Sequence, residues 1–266
     1  MTSIQIADAV RTPRGKGNDK GSLKSLKPAA LLAQALRALQ MRTGVNTEHI
    51  GDAVFGCVTQ TGDQGSSVGT LALPLAGWSD RVAAVSINRY CASGLSAAHF
   101  AAGQALAGNS LVVAGGIEMM SRVPMGSDQG PLTHDRELQL LAGLVPIGIA
   151  ADAIATQRGY SRQRLDTYAM GSQQRAAAAQ SRARSRIPVN DSQGAVLLAH
   201  DENIRGHTTL DSLAGLPPAF EAWGRKGGDT GWDAQLCRHY GLNAIDHVHH
   251  AGNSPALADA AAALLL

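Results

Sequence analysis

Short apolar runs alternate with longer amphipathic ones over the first 120 residues. Residues 4–10, Ile-Gln-Ile-Ala-Asp-Ala-Val, alternate in the manner of a strand. From Pro28 onward, Leu31, Leu32, Ala35, Leu36 and Leu39 fall on one stripe of a helix that closes near Gly44, with proline at its start and glycine past its end. Residues 53–58 predict a second strand, and residues 59–69, rich in Gly, Ser and Gln, a loop leading into a helix. Residues 82–87 predict a third strand that runs into a small-residue helix over 93–107, ended by Gly108. Residues 111–114 form the next strand, ending in Gly115-Gly116, where the backbone is free to take conformations other residues resist. Between Ser121 and Ile187 the strands disappear and helices are predicted over 147–158 and 162–184, before a strand resumes at 195–199. This alternation predicts a layered α/β fold, with a mixed, mostly parallel sheet, flanking helices and a helical loop domain. The expected division is a core over 1–120, a helical insertion over 121–190, and a return to the core over 191–266.

Composition narrows the function classes. A chain of 266 residues with 44% hydrophobic content can bury a sizeable core, and a formal charge of +2 argues for neither a nucleic-acid nor a membrane-surface partner. Three cysteines cannot all pair internally, so a disulfide scaffold is excluded and a reducing cytoplasm is expected. The opening residues lack the basic and apolar regions of a signal peptide. The longest apolar stretch, 138–151, is broken by Gln139 and is too short to span a bilayer.

The candidate nucleophile is Cys91, in Asn88-Arg89-Tyr90-Cys91-Ala92-Ser93-Gly94-Leu95, where a strand turns into a helix. A thiol on the first turn meets unpaired N–H groups and the positive end of the helix dipole, and both favour thiolate. Cys57 reads as a core strand residue and Cys237 lies in a polar region. Residues 158–186 carry seven Arg against one Asp, which reads either as a phosphate-attracting face or as a solvated amphipathic helix. With only Tyr160 and Tyr168 as stacking aromatics there, nucleic-acid binding is disfavoured. His247 and His249 would share one face of a strand between Phe220 and Ala251, but without an acidic or Cys partner at ligand spacing no metal site is expected around them or His250.

Seven strings in order give the chain a family likeness: Val10-Arg11-Thr12-Pro13, Phe55-Gly56-Cys57-Val58-Thr59-Gln60, the Cys91 segment, Ala114-Gly115-Gly116-Ile117-Glu118-Met119-Met120-Ser121, Asp201-Glu202-Asn203-Ile204-Arg205, Leu216-Pro217-Pro218-Ala219-Phe220 and Ala251-Gly252-Asn253-Ser254. Together they resemble the thiolases, which transfer acyl groups between coenzyme A and carbon. The resemblance implies that Cys91 carries the acyl group, that no cofactor is permanently bound, and that coenzyme A or acyl-CoA is the substrate. It further implies that Arg205 flanks the adenine-nucleotide end, and that Phe220, Ala251 and Ser254 lie near the pantetheine.

Several features depart from the family pattern. A complete thiolase adds a second, homologous half with a Gly-His-Pro histidine, an Asn-Glu-Ala-Phe asparagine and a second catalytic cysteine, and none of those strings occurs in these residues. The expectation is therefore a truncated thiolase or one whose other half is separately encoded, in a homo-oligomer or paired with that half. The family's Ala-Gly-Asn-x-Ser-Gly reads Ala251-Gly252-Asn253-Ser254-Pro255-Ala256 here, so one hydroxyl is lost and proline removes an N–H. Pro146-Ile147-Gly148 stands where many members contact the cofactor through His-Met-Gly or Ser-Met-Gly. The Ala/Gly-rich face of the Cys91 helix is expected to be solvent-exposed or to cover a dimer interface, since in the family that helix packs on its counterpart from the second half. The alternatives are a catalytically silent remnant, a partner-dependent subunit, or a condensing synthase of the same superfamily. Arg205, Phe220 and the Ala-Gly-Gly-x-Glu segment favour a thiolase over the synthase.

Overall fold

The computed structural model describes residues 3–108 and 111–266. They form two compact units. Unit 1 comprises the stretch up to Asp128, Arg182–Asn203 and Leu257–Leu266, and unit 2 comprises Gln129–Ser181 and Ile204–Ala256. Residues 204–256 thus cluster with the helical unit, so the return to the core expected over 191–266 is made only by residues up to Asn203 and from Leu257.

Unit 1 is a sheet between helices. Its strands are β1 (Asp8–Arg11), β2 (Gly15–Lys16), β3 (Asp52–Gly56), β4 (Ala84–Ile87), β5 (Val112–Met119), β6 (Val189–Asn190), β7 (Val196–Leu198) and β8 (Ala258–Leu265). The main sheet runs β1-β8-β5-β3-β4, with β2 beside β8 and β6-β7 as a separate hairpin. β3 is parallel to both β4 and β5, while β8 is antiparallel to β1, β2 and β5. Every other strand of the main sheet therefore points one way and β8 alone points the other.

Helix α1 (Pro28–Thr43) follows the predicted stripe. Pro28 opens it, Gly44 closes it at φ 67°, and Leu31, Leu32, Leu36 and Leu39 are buried. These leucines join Phe55, Val113, Ala261, Ala263 and Leu265 and the helix α2 (Val68–Ala76) residues Val68, Ala72 and Leu73 in the larger core. Helix α3 (Ser93–Leu106) covers the other face, where Ala97 and Ala101 pack on Val54, Val112 and Ala114.

One expectation is corrected in the sheet. The strand at 111–114 does not end at the glycines: β5 continues to Met119, and Gly115 and Gly116 lie inside it. A Cβ on Gly115 would collide with the Ala262 carbonyl, and one on Gly116 would press on the Gly56 carbonyl at 2.9 Å. These glycines serve close backbone approach rather than a turn. The alanine-rich segment at 258–265 is a strand, β8, lying between β1 and β5.

Unit 2 consists of helices α4 (Pro131–His134), α5 (Arg136–Leu141), α6 (Ile147–Arg158), α7 (Arg162–Ala179), α8 (Leu210–Ala214), α9 (Glu221–Arg225) and α10 (Trp232–Tyr240). Its core joins Ile149 and Ala153 of α6 to Trp232 and Leu236 of α10 and to Ile245, with Phe220 packed alongside. The strand expected around His247 is absent, and residues 242–250 have no regular structure. Among the described residues no helix is long and apolar enough to cross a membrane.

Candidate active site

In unit 1 three of the family-like strings support one another. Glu118, near the end of β5, accepts the backbone N–H groups of Val58 (2.8 Å) and Thr59 (3.3 Å) and the side-chain amide of Gln64 (2.7 Å). Gln64 is fully buried, and its carbonyl oxygen accepts the Met119 N–H at 2.6 Å. The Val58 carbonyl held in this way accepts the Asn88 side-chain amide at 3.1 Å, and the Asn88 oxygen accepts the Tyr90 N–H at 2.8 Å. Ser93 closes the turn: its hydroxyl accepts the Arg89 N–H and donates to the Tyr90 carbonyl. These bonds fix Tyr90 at φ 48°, a left-handed conformation seldom taken by a bulky residue. A strained backbone that its surroundings over-determine is a mark of functional sites.

Cys91 follows Tyr90 and is exposed. It stands two residues before Ser93, with Ala92 as the N-cap, so the expected place on the first helical turn is corrected to the loop just ahead of it. Gly56 allows the approach, because a Cβ there would strike the backbone of Ser93 and Gly94. Cys57 is 1% exposed, and burial, aided by the Glu118 charge, pushes its thiol up to about 12. Cys237, on α10, is partly buried and also shifted upward, by burial and then by Asp233. The small-residue face of α3, expected to be exposed, instead packs in part on the sheet, where Ala97 and Ala101 are buried, and the exposed side carries Leu95, Phe100 and Leu106.

The residues expected to meet coenzyme A lie in unit 2, where one segment gathers most of them. The Arg205 guanidinium approaches the carbonyls of Ala251 (3.5 Å) and Gly252 (3.4 Å), and its backbone N–H donates to Gln173 at 2.7 Å. Phe220 packs on Gly148, where any Cβ would overlap its ring, so two positions singled out separately in the sequence are in contact. Beside Phe220, the Ala219 N–H donates to the His249 carbonyl at 2.9 Å. Ala251 is exposed and Ser254 half-buried.

The carboxylates that hold this segment escaped the sequence reading. Asp152 accepts from His247, from His249 and from the backbone of both Val248 and His249. Asp166 accepts from His250 at 2.8 Å and from Asn253 at 2.9 Å. The one available signal was an aspartate alone among Ile and Ala in α6, since an unpaired carboxylate there would be costly. The arginine-rich stretch is partly structural as well: Arg162 binds Asp166 and donates to the carbonyls of Leu213, in the last turn of α8, and of Leu216 just beyond it.

Comparison with known proteins bears directly on this arrangement. The family described as "Thiolase, N-terminal domain" matches residues 4–228. The chain belongs to the thiolase family. A 3-ketoacyl-CoA thiolase of Shewanella frigidimarina is 33% identical over the whole chain and 65% of that protein. A 3-ketoacyl-CoA thiolase of Shewanella denitrificans is 35% identical over 83% of the chain and 59% of the relative. The 3-oxoadipyl-CoA/3-oxo-5,6-dehydrosuberyl-CoA thiolase of Escherichia coli K12 is 36% identical over 84% of the chain and 61% of its own length. The chain thus spans roughly three fifths of the length of the curated thiolases it matches.

Proposed function

We propose that this chain carries the acyl-accepting nucleophile of a thiolase-type acyltransferase, and that the nucleophile is Cys91. The observation that carries the reading is the Cys91 turn itself, exposed and held by Asn88, Ser93 and the Glu118 network. In the proposed half-reaction the Cys91 sulfur attacks the thioester carbonyl of an acyl-CoA, a new carbon–sulfur bond forms, and the bond to coenzyme A breaks. The departing coenzyme A takes up the proton that Cys91 gave. Coenzyme A is then a substrate, with Arg205, Phe220, Ala251 and Ser254 as its proposed contacts.

The return half-reaction needs a base to activate the acceptor and donors for the oxyanion. The family's histidine, asparagine and second cysteine strings are not in these 266 residues. We therefore assign those roles to a second thiolase half, and the outward Leu95, Phe100 and Leu106 of α3 support a partner surface there. The test is incubation with acetyl-CoA followed by intact-mass and peptide mass spectrometry. An acetyl group on Cys91, missing in Cys91→Ser, is the expected result. A wild-type protein that stays unlabelled would sink self-sufficient acyl transfer and leave the partner-dependent reading.

A further inference from the structure

Residues 246–253 have no regular structure, yet the rings of their three histidines are each held by named carboxylates. His247 is 2% exposed, with Nδ1 at 2.8 Å from Asp152 and Nε2 at 2.9 Å from Asp233. A neutral imidazole has one N–H, so it would turn a bare lone pair toward one of those carboxylates. Only the imidazolium can donate to both. His250 is the opposite case. Its Nδ1 accepts the Gly252 N–H at 3.0 Å, which leaves a single proton on Nε2 for Asp166. His249 directs Nδ1 to Asp152 at 2.7 Å.

The segment matters because of what it touches. The carbonyls of Ala251 and Gly252 face Arg205, and the His249 carbonyl anchors Ala219, the neighbour of Phe220. We propose that His247 is a positioning residue acting as a proton-held clasp: its imidazolium ties α6 to α10 through Asp152 and Asp233, sets residues 248–252 against Arg205 and Phe220, and lets them loosen when the proton leaves, weakening coenzyme A binding. The last clause rests on the coenzyme A reading above; the clasp itself does not.

The charges around the ring favour the proton. Asp152 faces it from α6 and Asp233 from α10, which also carries Cys237 and Arg238; Gly224 of α9 lies against the ring, with the Glu221–Arg225 pair on the same helix. From the segment itself come Asp246 and His249, and Arg162 of α7 lines the same shallow depression with Tyr160. Burial opposes the charge, but the hydrogen bonds and charges of Asp233 and Asp152 outweigh it and hold His247 above the ordinary histidine value. A raised value means the clasp is complete below pH 6.5 and opens as pH rises through the folded-state value.

The experiment uses the full chain labelled with 15N-histidine. Ring-nitrogen NMR should find His247 doubly protonated at pH 6.5, with a midpoint above that of an ordinary histidine, and Asp233→Asn should lower the midpoint. Hydrogen exchange, corrected for intrinsic rates, should lose about tenfold protection at Val248 and His249 across that midpoint, the size of one charge-assisted hydrogen bond. In His247→Gln that pH step should vanish. Coenzyme A affinity measured by calorimetry should fall across the same midpoint. A His247 carrying one proton at pH 6.5, or protection at 248–249 that ignores its titration, overturns the clasp. A clasp that titrates as described in a chain that binds no coenzyme A at any pH overturns the coenzyme A reading instead.

Discussion

Replacing Asp201 by asparagine tests whether the strings at 10–13 and 201–205 are matched for structural reasons. The Asp201 side chain is 3% exposed and accepts two parallel bonds from Arg11, at 2.8 and 2.9 Å, and the Arg14 N–H at 2.8 Å. Asn keeps the shape, removes the charge and turns an amide donor toward a guanidinium. Breaking a buried pair costs about 3–5 kcal/mol, and a hydrogen bond to a charged group about 1.5–3. Arg11 retains access to water, so the lower end applies, about 3 kcal/mol. At about 2–4 °C per kcal/mol for a domain of 150–250 residues, Tm at pH 7 should drop by about 6–12 °C. Burial alone would raise the Asp201 carboxyl, but Arg11 and Arg14 hold it far below its usual 3.8. For a depressed group the stabilisation is whole above the unfolded-state value and fades as pH falls toward the folded one. Thermal melts followed by circular dichroism should therefore show a constant gap between wild type and variant above pH 4 that narrows in stronger acid. An unchanged Tm at pH 7, or a gap that does not narrow in acid, would refute the assignment of stability to this charge.

Glycine-to-alanine changes should have opposite signs at two places. Gly115→Ala drives a methyl into the Ala262 carbonyl and should cost about 1–3 kcal/mol, whereas Gly103→Ala, in open space on α3, should gain about 0.5–1; urea melts giving the same sign for both would contradict the packing described. With iodoacetamide at pH 8, peptide mapping should find Cys91 modified in the native protein and Cys57 only after unfolding, since the buried Cys57 thiol sits at about 12. Equal rates would count against the buried Cys57. Asp166→Ala removes the partner of His250, Asn253 and Arg162 and should destabilise unit 2 by about 3 kcal/mol, read as faster amide exchange at 250–253; unchanged exchange there would show that the carboxylate does not pin the segment.

Periodicity carried most of unit 1. The α1 stripe, the strand before Cys91 and, in unit 2, the helix at 147–158 were readable because local pattern and tertiary role agree there, while the helix expected over 162–184 stops at Ala179. β8 was not readable, because alanine has little intrinsic preference for a strand. Its conformation is imposed by β1 and β5 on either side. The Gly115-Gly116 pair misled for a related reason: a glycine says that something comes close, not whether it is a turn or a neighbouring strand. At the site, Cys91 was legible from its junction, but its supports were not. Glu118 and Asn88 sit inside recognised strings, yet their partners are 30 to 60 residues away. The His247–Asp152 pairing spans 95 residues, and the alternation His247-Val248-His249 suggested a shared strand face. The two rings do converge, but on an aspartate of α6 rather than across a sheet.

The place of β8 also constrains the order in which the protein can be built. A ribosome releases every residue of unit 2 before it releases Ala258–Leu265, so the helical unit has its full sequence available while β1 and β5 still lack the strand that joins them. Through that interval α1 and the flanking strands have a gap in their sheet, and the pairing of Asp8 with Leu265 closes a loop that contains every residue of unit 2. During synthesis unit 1 is thus the part exposed to mispairing, and its cooperative closure waits on residues 258–265.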